Sequence, residues 1–304
     1  MQSALRKIEW PTVGLATGIY GLWWLFLIYS DALGHGVTAV VLVPLLVLHS
    51  SLQHECIHGH PFPDQRLNDL IAGAGIGVLL PYGRFAALHR AHHATDALTD
   101  PRSDPESHYV SPESWRCYGP VRRWCLHVNR CLAGRMLVGP PLSLYRLIRQ
   151  DIQSVIIGGG PVLRAWLSHG VTAGATLYLV SAVAGFPLWL YLLCCWAALS
   201  ILAIRTYLEH RAVGPVASRS VVIEHGGALG FLFLNNHLHA VHHARPRVPW
   251  YRLPALFRAN RARFLRQNGG YAYPSYGAVA RRYLLSGKEP AVFPLAASIG
   301  DDRS

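Results

Sequence analysis

Charged residues are absent from three long stretches of this chain, and those stretches set its organisation. Between Glu9 and Asp31 lie 21 residues without Asp, Glu, Lys or Arg, between Asp31 and Glu55 lie 23, and between Arg164 and Arg205 lie 40. A helix needs about 20 apolar residues to cross the hydrocarbon core, and a central charge opposes its insertion by roughly 2.5 to 3.5 kcal/mol. The first two gaps therefore match one span each and the third matches two. The pattern predicts four transmembrane helices in two hairpins, over about residues 11–30, 33–53, 165–184 and 187–206, with turns around 31–34 and at Gly185-Phe186-Pro187. A fourth uncharged run, 70–83, is too short to span and reads as a re-entrant or interfacial segment. Residues 115–164 mix Arg with apolar and aromatic residues, as helices lying among lipid headgroups do. The expected architecture is all-α and integral to the membrane: one domain over 1–304, whose parts 54–164 and 207–304 form a cytoplasmic helical cap.

Charge gives the orientation. The net charge is +12, yet all 28 Lys and Arg fall at 6–7, 66–164 and 205–303, leaving both hairpin turns without any. That is the positive-inside pattern, and it places both termini and the cap on the cytoplasmic side of the inner membrane. The basic excess is then topology plus attraction to anionic lipid, about 1 kcal/mol per basic residue near the surface. No nucleic-acid recognition motif accompanies it, so nucleic acid is not an expected partner. Arg6-Lys7 before an apolar run resembles a signal peptide, but the run spans a full bilayer and lacks a clear cleavage site, so it reads as a retained anchor. The six cysteines include no C-x-x-C pair and are expected as reduced thiols.

The candidate chemistry sits at the ends of the predicted spans. Three clusters read His54-Glu55-Cys56-Ile57-His58, His89-Arg90-Ala91-His92-His93 and His239-Ala240-Val241-His242-His243, and Glu209-His210 follows the last span. On helices, spacings of three and four put the histidines of a cluster on one face. Neutral imidazole binds iron, zinc, copper or nickel, and a tetrahedral zinc takes only three or four protein ligands. Nine histidines (54, 58, 89, 92, 93, 210, 239, 242 and 243) therefore suggest two metals. His237 breaks the helical spacing and reads as a packed or orienting residue, and lone His35 and His49 read as packed or interfacial. The acidic, proline-containing loop 95–106 offers carboxylates for the free ring N–H groups, Asp96 and Asp100 first. Glu55, His60, Glu209 and Asn236 are further candidates for orienting the ligands.

The pattern H-x-x-x-H, H-x-x-H-H, H-x-x-H-H with a further histidine after the last span resembles the integral-membrane fatty acid desaturase and hydroxylase superfamily. Asn235-Asn236 before the third cluster and Pro249-Trp250-Tyr251-Arg252-Leu253-Pro254 after it look like bacterial members. The resemblance implies a non-haem di-iron centre on the nine histidines, dioxygen as co-substrate, and a fatty acyl chain, lipid- or carrier-bound, that is desaturated. It also implies a separate electron donor such as a ferredoxin, since no cytochrome b5-like segment is present. Two departures stand out. Glu55 replaces the Asp of many members and is followed by the additional His60, which either substitutes for His58 or orients a ligand. Thr206 stands where some animal acyl-CoA desaturases have Asn. Hydroxylation of a lipid and ketolation or hydroxylation of a carotenoid remain open within the superfamily. A reading of another class is an intramembrane zinc metalloprotease, because His54-Glu55-x-x-His58 is an H-E-x-x-H motif. Against it, the chain contains no Asp-Gly, which such proteases typically use for a third ligand.

Overall fold

The computed structural model describes residues 8–294; Arg6-Lys7, Arg303 and both extreme termini lie outside the described residues. Helix α1 (Trp10–Ile28) opens with Pro11 in its first turn, where a missing N–H costs no hydrogen bond. A single turn, α2 (Ser30–Leu33), and Gly34 at a φ of +86° reverse the chain into α3 (His35–Ile57). The chain then forms α4 (Gln65–Ala72), capped by the Asp64 carboxylate, α5 (Tyr82–Ala94), α6 (Pro112–Cys117), α7 (Pro120–Val128) and the long α8 (Leu132–Ile156). Gly158 at a φ of +94° breaks the chain before α9 (Gly160–Tyr178), which continues through a π-helical turn, Leu179–Val183. Gly185, at a φ of +67°, then turns the chain into α10 (Leu188–Leu208).

Among the described residues, three helices are long and apolar enough to cross a membrane: α1, α3 and α10. Helix α9 has the length, but it carries Arg164, Ser168, His169 and Thr172 and is less apolar than the pattern of charges alone suggested. The hydrophobic centre lies between α1, α3 and α10, where Ile19, Trp23 and Leu27 meet Leu42, Leu46 and Leu52 and Cys194, Ala198 and Leu202. Outward residues such as Val40, Leu193 and Trp189 are apolar and exposed, as a lipid-facing surface requires. His35 packs its ring 5.3 Å from that of Phe186, so the two hairpin turns meet at one end of the bundle.

Residues 73–81, between α4 and α5 and within the run read from the sequence as re-entrant or interfacial, have no regular structure. Irregular backbone at membrane depth is tolerated only where protein satisfies its polar groups. Tyr20 donates to the Ile71 carbonyl (2.6 Å) and Gln53 to that of Ala72 (2.8 Å) at the end of α4, and in the irregular segment His49 bonds the Ala74 carbonyl (2.9 Å) and Tyr191 that of Ile76 (2.6 Å). Lone His49 is thus a packed histidine with a structural partner.

The all-α expectation needs one correction. After α10 the chain forms β1 (Val222–His225), α11 (Gly227–Leu232), α12 (His239–Ala244), α13 (Leu253–Gln267), β2 (Ala272–Ser275) and α14 (Tyr276–Tyr283). The two strands pair in parallel, Val222 opposite Ala272. Four-residue strands carry almost no periodic signal, and their pairing depends on contacts 50 residues apart. Their effect is local to the histidines. Val221 donates its N–H to the Glu209 carbonyl (3.1 Å), Ile223 to His237 (2.9 Å), and Val221 accepts from Ala240 (2.9 Å). The β1 segment therefore ties the chain at His210 to the chain at His239.

Candidate metal centre

The last turn of α3 presents His54, with His58 as the residue that caps it; α5 presents His89, His92 and His93; α12 presents His239, His242 and His243; and His210 follows α10 by two residues. These nine imidazoles converge in two groups. His54, His58, His89, His93 and His242 form one, and His92, His210, His239 and His243 the other, with the ligand atoms of each group all within 4.8 Å of one another. Within the first group, His58 Nε2 lies 3.0 Å from His89 Nε2 and His93 Nε2 lies 3.1 Å from His242 Nε2. Within the second, His210 Nε2 lies 3.1 Å from His92 Nε2 and 3.0 Å from His239 Nε2. The groups adjoin, the rings of His93 and His243 stacking at 4.3 Å.

Several of these rings are fixed from behind. His92 Nδ1 donates to Asp104 Oδ1 (2.8 Å), His89 Nδ1 to Glu106 (3.1 Å), and His239 Nδ1 to Asn236 Oδ1 (3.0 Å), while His210 Nδ1 faces the Ser220 hydroxyl at 3.3 Å. Asn236 in turn donates to Glu209 (3.2 Å), which pairs with Arg205 (3.0 Å). A neutral ring that donates from Nδ1 has only a lone pair on Nε2. The Nε2 lone pairs of His89, His92 and His239 therefore face the Nε2 atoms of neighbouring rings at 3.0–3.1 Å, an arrangement that a cation between them relieves.

Electrostatics keeps most of the rings neutral. Burial, followed by mutual repulsion among the imidazoles, holds His210, His239, His242 and His243 well below the ordinary histidine range and His93 at about 3. Burial also opposes the charge on Glu106, but attraction to His89 and the hydrogen bond with it bring the carboxyl down to about 2. Rings held neutral, beside others whose Nδ1 is bonded to the Asp104 and Glu106 carboxylates, form a donor set that binds a transition metal.

A cavity of about 360 Å³ reaches this centre. Leu46, Cys195, Ala198, Leu199 and Leu202 line its apolar part, and His89, Glu106, Glu209 and His210 also form its wall. Its volume lies within the range of small-ligand sites.

The family model described as fatty acid desaturase matches residues 22–275. The chain belongs to the fatty acid desaturase family. A comparison with curated proteins finds no match. As a member of this family the protein is an oxidoreductase associated with acyl lipid and membrane, and its two histidine groups suit a metal site.

The site departs from the sequence reading in its supporting residues. Asp96 is exposed, and Asp100 pairs with Arg102 (3.0 Å). Asp104 and Glu106, from the same loop, take the role expected of them, because the loop must run several residues past α5 before it can turn back behind the rings. His60 bonds Glu9 (2.8 Å) and belongs to neither group. His237 likewise stays outside, its ring packed against Gly226 and Gly230. Glu55 accepts the Trp250 backbone N–H (3.0 Å), so its carboxylate is committed to the segment after α12. With that bond and the family match, the metalloprotease reading is not favoured.

Proposed function

We propose that this protein is a dioxygen-dependent di-iron enzyme that desaturates a fatty acyl chain, free, lipid-bound or carrier-bound. His54, His58, His89, His93 and His242 hold one iron, and His92, His210, His239 and His243 the other. The observation that carries this reading is the convergence of Nε2 atoms at 3.0–3.1 Å in both groups. Two nitrogens bound at about 2.1 Å to one ion stand about 3.0 Å apart at a right angle and about 3.4 Å apart at the tetrahedral angle. The spacing, and a group of five imidazoles, fit a higher-coordinate metal better than tetrahedral zinc.

Bound there, two ferrous ions supply the reduction of dioxygen and the abstraction of hydrogen from an unactivated C–H bond. The chain's own residues hold the site for it. Asp104, Glu106 and Asn236 fix the ring tautomers, and the apolar wall of α3 and α10 excludes water and confines an acyl chain. The basic residues on either side of hairpin turns that carry no Lys or Arg support four spans, with α9 as the fourth, and a cytoplasmic centre at the inner membrane. Electrons then come from a separate carrier such as a ferredoxin.

The test is metal content together with lipid analysis. Purified wild-type protein should hold about two irons per chain, falling in His92→Ala and in His242→Ala. Expression should add unsaturated acyl chains to host lipids, and the variants should not. One zinc per chain, unaffected by either substitution, would overturn the proposal.

A further inference from the structure

The cavity beside the histidines carries a buried arginine that makes no side-chain hydrogen bond or ion pair among the described residues. Arg135 stands in the first turn of α8, is 9 % exposed, and lines the cavity. Its Nε is buried without a hydrogen-bond partner, and its guanidinium carbon lies 5.8 Å from the centre of the Tyr207 ring. Of the other cationic side chains of the wall, Arg205 pairs with Glu209 (3.0 Å) while its Nη1 stays buried without a partner, and the rest have hydrogen-bond partners. Arg130 donates to the Glu289 carbonyl (2.6 Å), Arg146 to the Ser107 carbonyl (2.6 Å), and Lys288 to the His210 carbonyl (3.1 Å). The acids are occupied too: Asp104 and Glu106 by histidines, Glu209 by Arg205, and Glu289 by Lys288 (3.3 Å) and Tyr109 (2.6 Å).

The position is built to keep this arginine where it is. A Cβ on Gly139, one turn along α8, would lie 3.0 Å from Arg135 Cδ and 3.2 Å from Asn129 Oδ1. Asn129 Oδ1 is itself buried and unpartnered, and Asn129 also lines the cavity. Burial pushes the Arg135 guanidinium down to about 10, so it stays charged at neutral pH. Glu289 attracts this cation without pairing with it; a buried cation with no hydrogen-bonded counter-charge is unfavourable, and the cavity is the route by which one reaches it.

We propose that Arg135 binds the anionic end of the acyl substrate, a carboxylate or a phosphate, with the apolar chain directed along α10 toward Cys195 and Leu46. This inference rests on the acyl reading above and names the head group. Tyr207, beside Arg135, stands at the histidine end of α10, and Cys195 lies twelve residues back, about 18 Å along the helix. One wall thus offers a charged anchor and a long apolar path. Guanidinium pairs with carboxylate or phosphate through two parallel hydrogen bonds, which the free donors of Arg135 can supply.

Direct binding to the purified, metal-loaded full chain in neutral detergent tests this, with hexadecanoate, hexadecyl phosphate and hexadecanol as probes. At least one anion should bind about tenfold or more tighter than the alcohol. The stronger of the two anions identifies which head group the site takes. The advantage should vanish in Arg135→Gln, persist in part in Arg135→Lys, and be unchanged in the exposed Arg258→Gln. If Arg135→Gln does not fold, Gly139→Ala, which crowds the arginine without removing its charge, should reduce the same ratio. Equal binding of all three probes by wild type, or an advantage that survives Arg135→Gln, overturns the proposal. Because the readout is binding without turnover, it stands apart from the iron measurement, and either can fail alone.

Discussion

His92 and Asp104 form a buried pair, Nδ1 to Oδ1 at 2.8 Å, that couples α5 to the loop after it. Asp104 is itself immobilised: Oδ1 accepts the Glu106 backbone N–H (2.9 Å) and Oδ2 that of Thr99 (2.8 Å). Burial works against charge on His92, but the hydrogen bond to Asp104 and the nearby carboxylates raise its pKa, in contrast to the depressed His93 beside it. One ring of the cluster is thus made more basic by a carboxylate locked in place by backbone donors.

Removing that carboxylate should weaken the centre without emptying it. Asp104→Ala is expected to lower metal affinity about 10- to 100-fold, the usual effect of losing a partner behind a ligating histidine. Asp100→Ala, which loses only its exposed pairing with Arg102, should leave metal retention unchanged. Iron per chain after dialysis against graded chelator compares the two.

The depressed histidines make the metal-free protein acid-sensitive. A ring held neutral when folded, such as His93 at about 3, takes up a proton in the unfolded chain near its ordinary value of about 6.5. Between those values the unfolded state binds more protons, so these rings make stability fall as pH drops below about 6.5. His210, His239, His242 and His243 add in the same direction. The unfolding temperature of chelator-treated protein should therefore decline from pH 7.5 to 5.5. Bound metal should raise it most at the higher pH, since protons compete for the same nitrogens. A profile rising toward acid would contradict this assignment of neutral rings.

The parts of this site visible in the sequence are those with a local period. The gaps between charges located α1, α3 and α10, and spacings of three and four residues assembled the histidines of α3, α5 and α12. His237 could be set aside from His239 for the same reason, since only the latter keeps the helical step. What stayed hidden depends on long-range return of the chain. Asp104 and Glu106 were no more conspicuous than Asp96 and Asp100, because which acid lies behind a ring is decided by where the loop turns. The β1–β2 pairing between Val222 and Ala272 and the isolation of Arg135 in the cavity wall have no local signature at all.

Tyr191 shows how much the bundle depends on one hydroxyl. It accepts from Trp23 Nε1 of α1 (2.9 Å) and donates to the Ile76 carbonyl of the irregular segment (2.6 Å). Tyr191→Phe removes an acceptor and a donor at once and leaves both partners buried. The loss should be about 1–3 kcal/mol, read as a lower unfolding temperature in detergent. Tyr178→Phe, at an exposed position, provides the unaffected control.

The apolar wall of α10 should set the length of chain the enzyme accepts. Ala198 is buried, lines the cavity, and lies three residues closer to the histidines than Cys195. Phenylalanine at 198 would close the path there and shorten it by about 4.5 Å. Overpacking also costs about 1–3 kcal/mol, so Ala198→Phe should be compared at a temperature where its iron content matches wild type. Under that condition the acyl chains modified in host lipids should shift to shorter lengths, while Leu193→Phe on the exposed face of the same helix should change nothing. An unchanged chain-length profile in Ala198→Phe would mean that the acyl chain does not run along α10, and would separate the cavity from the chemistry of the histidine centre.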